Sequence, residues 1–353
     1  MNKTFQKIVS TGLALTAVFS LAACGEKTDS TPSDDASAGK TYKVGIVQFV
    51  DDASLNQIEE NIEQELDAKA AELGVTFDYE DYTYNGQADA TTLNQIGAEL
   101  VSKEVDIIIP IATPAAQVMQ SVTEDTDIPI VFAAVSDPLT AKLVDSMDAP
   151  GGKITGTSDS LNTEAVLNLM LAANPDTDYV GLLYSKSEDS SKQPIADAIA
   201  YLESKNIKYI EKTGTTIDEV SSAADALIAE GVDAVFTPTD NTVMTAELAI
   251  YEKLLDAKIP HYCGADSFAL NGAFVGYGVD YAYLGRATAD MAVEILVNGA
   301  DPAATAVMTF DNGIATINTE SCIALGFDLT AIKEAFDGLC TQIVETVTAQ
   351  EFE

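Results

Sequence analysis

Short apolar runs alternate with amphipathic stretches along most of the chain. Residues 42–50 (YKVGIVQFV) form a continuous apolar run typical of a buried parallel strand, and residues 105–111 form another. Such repeated strand and helix units predict an open parallel sheet with helices on both of its faces. Between the two runs, residues 54–57 (SLNQ) resemble a capping box, and apolar residues follow at helical spacing, at Leu55, Ile58, Ile62 and Leu66.

The second half of the chain repeats this pattern. Three pairs of segments match in the same order, at offsets of 127 to 136 residues: 45–48 with 181–184, 105–110 with 232–237, and 128–137 with 259–267. The near-constant offset predicts an α/β protein of two Rossmann-like lobes with parallel sheets. Ligands of such sheets bind at the carboxyl ends of the strands, so we expect a site in a cleft where the lobes face each other and close.

Two predicted strand ends in the first lobe carry candidate ligand contacts. Thr113 and Pro114 follow a buried strand directly, where Thr suits an N-cap and Pro suits the first helical turn. The backbone N–H groups of a turn that includes Ala115 would receive a ligand carboxylate, although any capped helix start looks the same in sequence. Val135 and Ser136 end the next strand and offer a hydroxyl and backbone groups.

Candidate contacts in the second lobe are mostly acidic. Asp240, with Asn241 after it, and Asp266 each follow a predicted strand. A buried carboxylate is tolerable only if it is matched, and a ligand ammonium would match it. We expect one of the two aspartates to pair with the ligand and the other to cap its helix, and the sequence does not distinguish them.

The first strand of each lobe ends near an aromatic residue. Gln48 and Phe49 end one strand, and Tyr184 ends the other, with Ser187 in the loop that follows. Aromatic faces stack well on flat ligands, so we include these four residues among the ligand-binding candidates. The alternative is that the two rings line the contact between the lobes.

The composition excludes several functional classes. The chain carries 18 Lys+Arg against 56 Asp+Glu, a formal net charge of −38, which leaves no clustered basic surface for nucleic acid. The only histidine, His261, lies in a strand-like apolar segment, where a structural role is expected. The sequence has no G-x-S-x-G, Walker A or G-x-G-x-x-G motif after a strand, and we predict neither an enzyme nor a cofactor or metal site.

The first forty residues differ from the rest. Lys3 and Lys7 precede an apolar run over residues 8–23, as in an export signal. The sequence LAACG around Cys24 resembles a bacterial lipobox, which implies a signal peptide over residues 1–23 and a lipid on Cys24. Residues 24–40 are small and polar and predict a flexible tether. We therefore expect an extracytoplasmic protein, lipid-anchored to the outer face of the bacterial cell membrane.

Several segments together carry a resemblance to a known family. The chain is similar to the solute-binding lipoproteins of ATP-driven (ABC) importers with the type I periplasmic-binding-protein fold. It is most similar to a subfamily of which some members take up tryptophan and related aromatic amino acids. The segments are VGIVQFVDDASL (44–55), PIATPAAQ (110–117), FAAVSDP (132–138), ITGTSD (154–159), GLLYSKSEDSS (181–191), FTPTDNTV (236–243) and the stretch from Asp280 to Arg286.

The resemblance implies a bilobal protein that captures a solute and delivers it to a membrane permease. It implies crossover strands near residues 157, 280 and 311, and a helix over 282–298 that returns to the first lobe. The N-terminal lobe would then comprise residues 41–157 plus 281–311, and the C-terminal lobe 158–280 plus 312–353.

The chemistry of the ligand follows from the candidate residues. The Thr113 turn with an acid opposite favours an amino acid, and the family suggests Trp, Tyr or Phe. Branched-chain amino acids, nucleosides and sugars, or a sensor that docks on a membrane receptor, remain open alternatives. Cys322 and Cys340 are compatible with a disulfide or with free thiols.

Overall fold

The computed structural model describes residues 39–310 and 313–349 and contains two α/β lobes. The predicted signal peptide, Cys24 and nearly all of the tether lie outside the described residues. Among the described helices, none combines the length and the apolar character needed to cross a membrane. All strand pairings in the first lobe are parallel. Its strands are β1 (Thr41–Gln48), β2 (Thr76–Asp78), β3 (Thr83–Asn85), β4 (Ile107–Ile111), β5 (Ile130–Phe132), β6 (Ile154–Ser158) and β12 (Met308–Thr309).

The second lobe is built on a sheet of the same kind. Its strands are β7 (Tyr179–Tyr184), β8 (Lys208–Thr213), β9 (Ala234–Thr237), β10 (His261–Cys263), β11 (Val275–Gly278), β13 (Ile314–Asn318) and β14 (Gln342–Thr346). Their order is β14-β13-β11-β10-β9-β7-β8, against β12-β6-β5-β4-β1-β2 in the first lobe, where β3 also pairs with β1. Every pairing in the second sheet is parallel except that of β11 with β13.

Helices cover the faces of both sheets. The first lobe contains α1 (Ala53–Leu73), α2 (Ala90–Ser102), α3 (Thr113–Val122) and α9 (Tyr281–Leu296). The second contains α4 (Thr163–Ala173), α5 (Lys192–Lys205), α6 (Ile217–Glu230), α7 (Asn241–Asp256), α8 (Asp266–Leu270), α10 (Thr319–Leu325) and α11 (Leu329–Phe336).

The chain crosses between the two sheets three times: after β6, after β11, and between β12 and β13. After the second crossing, α9 packs along α1 of the first lobe. Gly285 permits this contact, because a Cβ there would lie 2.6 Å from the backbone oxygen of Ile58. The neighbouring Arg286 donates from Nη1 to Oδ1 of Asn61 at 2.7 Å. The residues that directly follow β6 and β11 therefore lie beside the boundary between the lobes.

Candidate functional site

A cavity with about 320 Å³ of empty space lies between the two lobes. Nearly all of its lining residues follow the carboxyl end of a strand, as expected for parallel α/β sheets. The first-lobe segments after β1, β4 and β5 contribute one wall, and the segments after β7, β9 and β10 contribute the other. The lining residues are Ser54, Leu55, Ala112, Thr113, Ala134, Ser136, Asp159, Ser190, Thr239, Asn241, Met244, Ala265 and Tyr281.

One end of the cavity is the N-terminus of α3. Thr113 is the first residue of this helix and not its N-cap, which corrects the sequence-based expectation. The N-cap is Ala112, which has no side-chain oxygen to accept a hydrogen bond. By contrast α1, α2 and α9 are each capped by an aspartate. The first-turn N–H groups of Thr113 and Ala115 have no partner within the helix, and together with the helix dipole they favour an anion.

Two alanines in the cavity wall have left-handed backbone conformations. Ala112 has φ 80° and ψ 154°, a region that is normally occupied only by glycine, and Ala134 has φ 52°. The conformation of Ala112 turns the chain sharply from β4 into α3. Positive-φ backbone thus occurs in the cavity wall both at the start of α3 and after β5.

We expect Ala112→Gly to leave the protein as stable as the parent or to stabilise it by about 1 kcal/mol. Glycine removes the Cβ strain at φ 80°, which outweighs its greater freedom in the unfolded chain. The matched control is Ala116→Gly, in the interior of α3, which should cost about 1 kcal/mol. Thermal unfolding of both variants measures the difference. Equal destabilisation by the two glycines would show that Ala112 carries no strain.

Among the described residues that line the cavity, Asp159 is the one with an acidic side chain. This residue follows β6, is 5% exposed, and accepts a hydrogen bond from Ser136 Oγ at 2.9 Å. Burial raises the pKa of Asp159 to about 6. None of the ion pairs found among residues 39–310 and 313–349 involves it. A buried carboxylate without a cation is suited to a cationic ligand group.

Asp159 was not among the site residues predicted from the sequence. It belongs to the segment ITGTSD (154–159), which carried part of the family resemblance. Its position directly after β6 also satisfies the rule that parallel sheets bind ligands at strand ends. Had that rule been applied to every strand, including β6, after which the chain crosses to the second lobe, it would have selected Asp159.

Asp240 caps a helix, which is one of the two roles that the sequence left open for it. It caps α7 by accepting from the Val243 N–H at 2.9 Å. Its other oxygen accepts from the Ser185 N–H at 2.7 Å and from Ser191 Oγ at 2.6 Å. Asp240 is not one of the cavity-lining residues, and its oxygens are already engaged by these three donors. The neighbouring Asn241 does line the cavity and also donates to Glu188 Oε2 at 3.2 Å.

Asp266 binds the opposite lobe and does not line the cavity. It accepts a hydrogen bond from Ser54 Oγ at 2.5 Å, and Ser54 Oγ in turn accepts from the Ser267 N–H at 3.2 Å. Ser54 is therefore not the helix cap that the sequence suggested. The cap of α1 is Asp52, whose pKa is raised to about 7 by burial and, to a smaller extent, by the nearby Asp266. These four residues form a direct hydrogen-bonded contact between the lobes.

A second direct contact between the lobes lies elsewhere along the cleft. Gln117, on α3, donates from Nε2 to Oδ2 of Asp189 at 2.7 Å. Asp189 directly precedes Ser190, which lines the cavity. Together with the Ser54–Asp266 bond, this contact shows that the lobes are closed on each other.

The remaining predicted contacts lie outside the cavity. Phe49 is buried in a hydrophobic cluster that contains residues of both lobes, and Gln48 Nε2 holds the loop after β1 by donating to Val50 O and Asn56 Oδ1, both at 2.7 Å. Val135 is buried and donates to Thr157 O at 3.3 Å. Pro114 and Ala115 follow Thr113 in α3 without being lining residues themselves.

Tyr184 and Ser187 of the second lobe are also engaged elsewhere. Tyr184 is the last residue of β7, packs in the second core and donates to Glu211 Oε2 at 2.6 Å, so it is not stranded in a loop. Ser187 Oγ lies 2.7 Å from Ser185 Oγ. The aromatic residue that lines the cavity is Tyr281, which the sequence analysis did not select.

The single histidine and the three cysteines of the described residues do not line the cavity. His261 is buried in β10, with Nε2 2.8 Å from Thr237 Oγ1 and Nδ1 3.1 Å from Glu247 Oε1. This is a satisfied core histidine, as the sequence predicted. Cys263, Cys322 and Cys340 are free thiols, so the structure favours the second of the two alternatives for the Cys322 and Cys340 pair.

We expect the ligand-free protein to unfold at a higher temperature at pH 5.5 than at pH 8. Burial raises the pKa of Asp52 and Glu188 to about 7, and that of Asp159 and Asp266 to about 6. Raised values mean that the folded state binds these protons more tightly than the unfolded state. The resulting stability is complete below about pH 4 and is lost as the pH rises through 6 to 7. Thermal unfolding across this range measures it, and a melting temperature that increases with pH would contradict the assignment.

Comparison with known proteins places this geometry in context. The sequence profile of the family described as ABC transporter substrate binding protein matches residues 43–334. A tyrosine-binding protein of Clostridioides difficile (strain R20291) is 30% identical over 326 residues, which is 91% of this chain and 92% of that protein.

Two solved structures are informative about the arrangement of the lobes. An ABC domain from Streptococcus pneumoniae, in complex with L-Trp, is 31% identical with a TM-score of 0.77 and covers 86% of this chain and 100% of its own. The ligand-free, open structure of a substrate-binding protein with adhesive properties from Clostridium difficile is 29% identical with a TM-score of 0.65, and covers 87% and 100%. The two structures are almost equally identical to this chain in sequence, but the Trp complex has the higher TM-score. This agrees with the direct contacts between the lobes, which show them closed.

Proposed function

Since the chain belongs to the family of ABC transporter substrate-binding proteins, we propose that it captures a free aromatic amino acid between its lobes and delivers it to a membrane permease. The observation that carries the choice of ligand is the pair of opposite ends of the cavity. An uncapped helix N-terminus suits a carboxylate, and the buried Asp159 suits an ammonium group.

The two groups lie along one edge of the first-lobe sheet. Thr113 follows β4 and Asp159 follows β6, with β5 between them, so the strand ends that carry them lie about 10 Å apart across the sheet. Ser136, which follows β5, lies between the two ends and donates to Asp159. A nucleoside has no carboxylate for the α3 end.

The rest of the cavity supports an apolar side chain. Leu55, Met244, Ala265 and Tyr281 line it. The relatives point to the same ligand class, because one is a tyrosine-binding protein and another was crystallised with L-Trp. The protein itself would carry out no chemistry on the ligand.

The test is thermal unfolding of the ligand-stripped protein with the twenty amino acids, nucleosides and sugars. A ligand at about 100 times its Kd adds roughly 2.7 kcal/mol of stability, a shift that is easily measured. We expect stabilisation by Trp, Tyr or Phe. Stabilisation by nucleosides or sugars alone would refute the amino-acid site, and a response to no compound would favour a sensor for an untested ligand.

We also propose that the protein is exported and held at the outer face of the membrane by a lipid on Cys24. The support is the lipobox-like sequence LAACG and the extracytoplasmic location of this family. When producing cells are fed radiolabelled palmitate, the parent and Cys263→Ser proteins should take up the label and the Cys24→Ser protein should not. A parent protein without label would exclude the lipid anchor.

A further inference from the structure

Met244 separates the ligand cavity from a second space. It is 5% exposed and lies at the end of the first turn of α7. Among the described residues it alone lines both the cavity and a neighbouring groove with about 1270 Å³ of empty space. The groove is open to solvent and runs along the boundary of the lobes, between Asp51 and Asn56 on one side and Leu248 on the other.

The position of Met244 is fixed from two directions. The Asp240 cap sets the start of α7 through the Val243 N–H, one residue before Met244. In addition, Ser267 Oγ donates to Met244 Sδ at 3.1 Å, and Ser267 belongs to the contact between the lobes. Both contacts lie within the second lobe, so that lobe alone holds the thioether in place between the two spaces.

The ligand side chain should point towards Met244. The two charged ends of the ligand are assigned to Thr113 and Asp159, so its side chain extends towards the second-lobe wall. Of the second-lobe residues that line the cavity, Met244 has the largest apolar side chain. On the far side of Met244, Leu248 is 59% exposed and gives the groove an apolar surface.

From this geometry we infer that Met244 sets the upper limit on the length of the ligand side chain. This inference rests on the proposed amino-acid site. Replacing Met244 by a small residue would join the cavity to the groove, so that a longer apolar side chain would be accepted while the two charged ends stay in place. Methionine is also flexible enough to adapt to side chains of different shape below that limit.

The experiment is calorimetric titration with L-phenylalanine and 4-benzoyl-L-phenylalanine, which share their charged ends and differ in side-chain length. We expect the parent to bind the longer compound at least 100-fold more weakly than phenylalanine. Met244→Ala should bind the longer compound at least tenfold more tightly than the parent does, with a several-fold loss for phenylalanine. Met244→Leu, of similar volume, should keep the parent preference.

Met170→Ala is the matched control, since Met170 is equally buried in the second lobe but lines neither space. An equal gain for the longer compound in Met170→Ala would overturn the inference, because general loosening would explain it. An unchanged preference in Met244→Ala, in a parent that binds phenylalanine, would overturn the inference alone. A parent that binds no aromatic amino acid would overturn the proposed ligand and the inference with it.

Discussion

Asp159→Asn should weaken binding of the amino acid at least 100-fold, about 2.7 kcal/mol, while the protein stays folded. The substitution keeps the shape of the side chain and removes the charge that faces the ligand ammonium. Losing one partner of a buried charge pair typically costs 2–5 kcal/mol of binding free energy. Calorimetric titration of the ligand-stripped variant measures the loss.

The same substitution should make the ligand-free protein more stable at pH 8. Burial raises the pKa of Asp159 to about 6, so at pH 8 the folded protein carries a carboxylate in an unfavourable environment, which asparagine removes. Lower affinity with higher stability is the signature of a ligand-binding group. A variant that loses stability and keeps its affinity would instead show that Asp159 is structural.

Asp240→Ala should have the opposite pattern and destabilise the protein by about 2–4 kcal/mol. The carboxylate is 1% exposed, and its removal leaves the Ser185 N–H, the Val243 N–H and the Ser191 hydroxyl without their acceptor. Two of these donors hold the loop after β7, and the third begins α7. Denaturant unfolding measures the cost.

Each of the two aspartate variants serves as the control for the other when their ligand affinities are compared. At a temperature where both variants are folded, the Asp240→Ala protein should keep more of its ligand affinity than the Asp159→Asn protein. The reverse order would return the ammonium site to Asp240, as one of the expectations from the sequence had it.

The sequence predicted the two-lobe α/β architecture because helices and parallel strands have different apolar periodicities. It also selected Thr113, Ser136 and Asn241, three residues of the cavity wall, since each follows a recognisable buried strand. Strand ends are visible in a sequence, and the ligand-binding rule of parallel sheets applies to them directly.

The choice between capping and ligand binding was not visible in the sequence. Asp159 and Asp240 both follow strands, and only the structure shows that three donors surround Asp240 while Asp159 faces the cavity. The sequence also did not show in which direction the side chains of Phe49 and Tyr184 point. Strands of a parallel sheet are apolar on both faces, so no alternation indicates which way a side chain at the strand end points.

Blocking one charged end of the ligand at a time tests the central claim most directly. The parent protein would be titrated with three compounds. L-Tryptophan carries both charges, tryptophan amide lacks the carboxylate, and N-acetyl-tryptophan lacks the ammonium group. We predict that tryptophan binds and that each blocked compound binds at least 100-fold more weakly. Binding of the N-acetyl compound as tightly as tryptophan itself would contradict the pairing of Asp159 with the ligand ammonium.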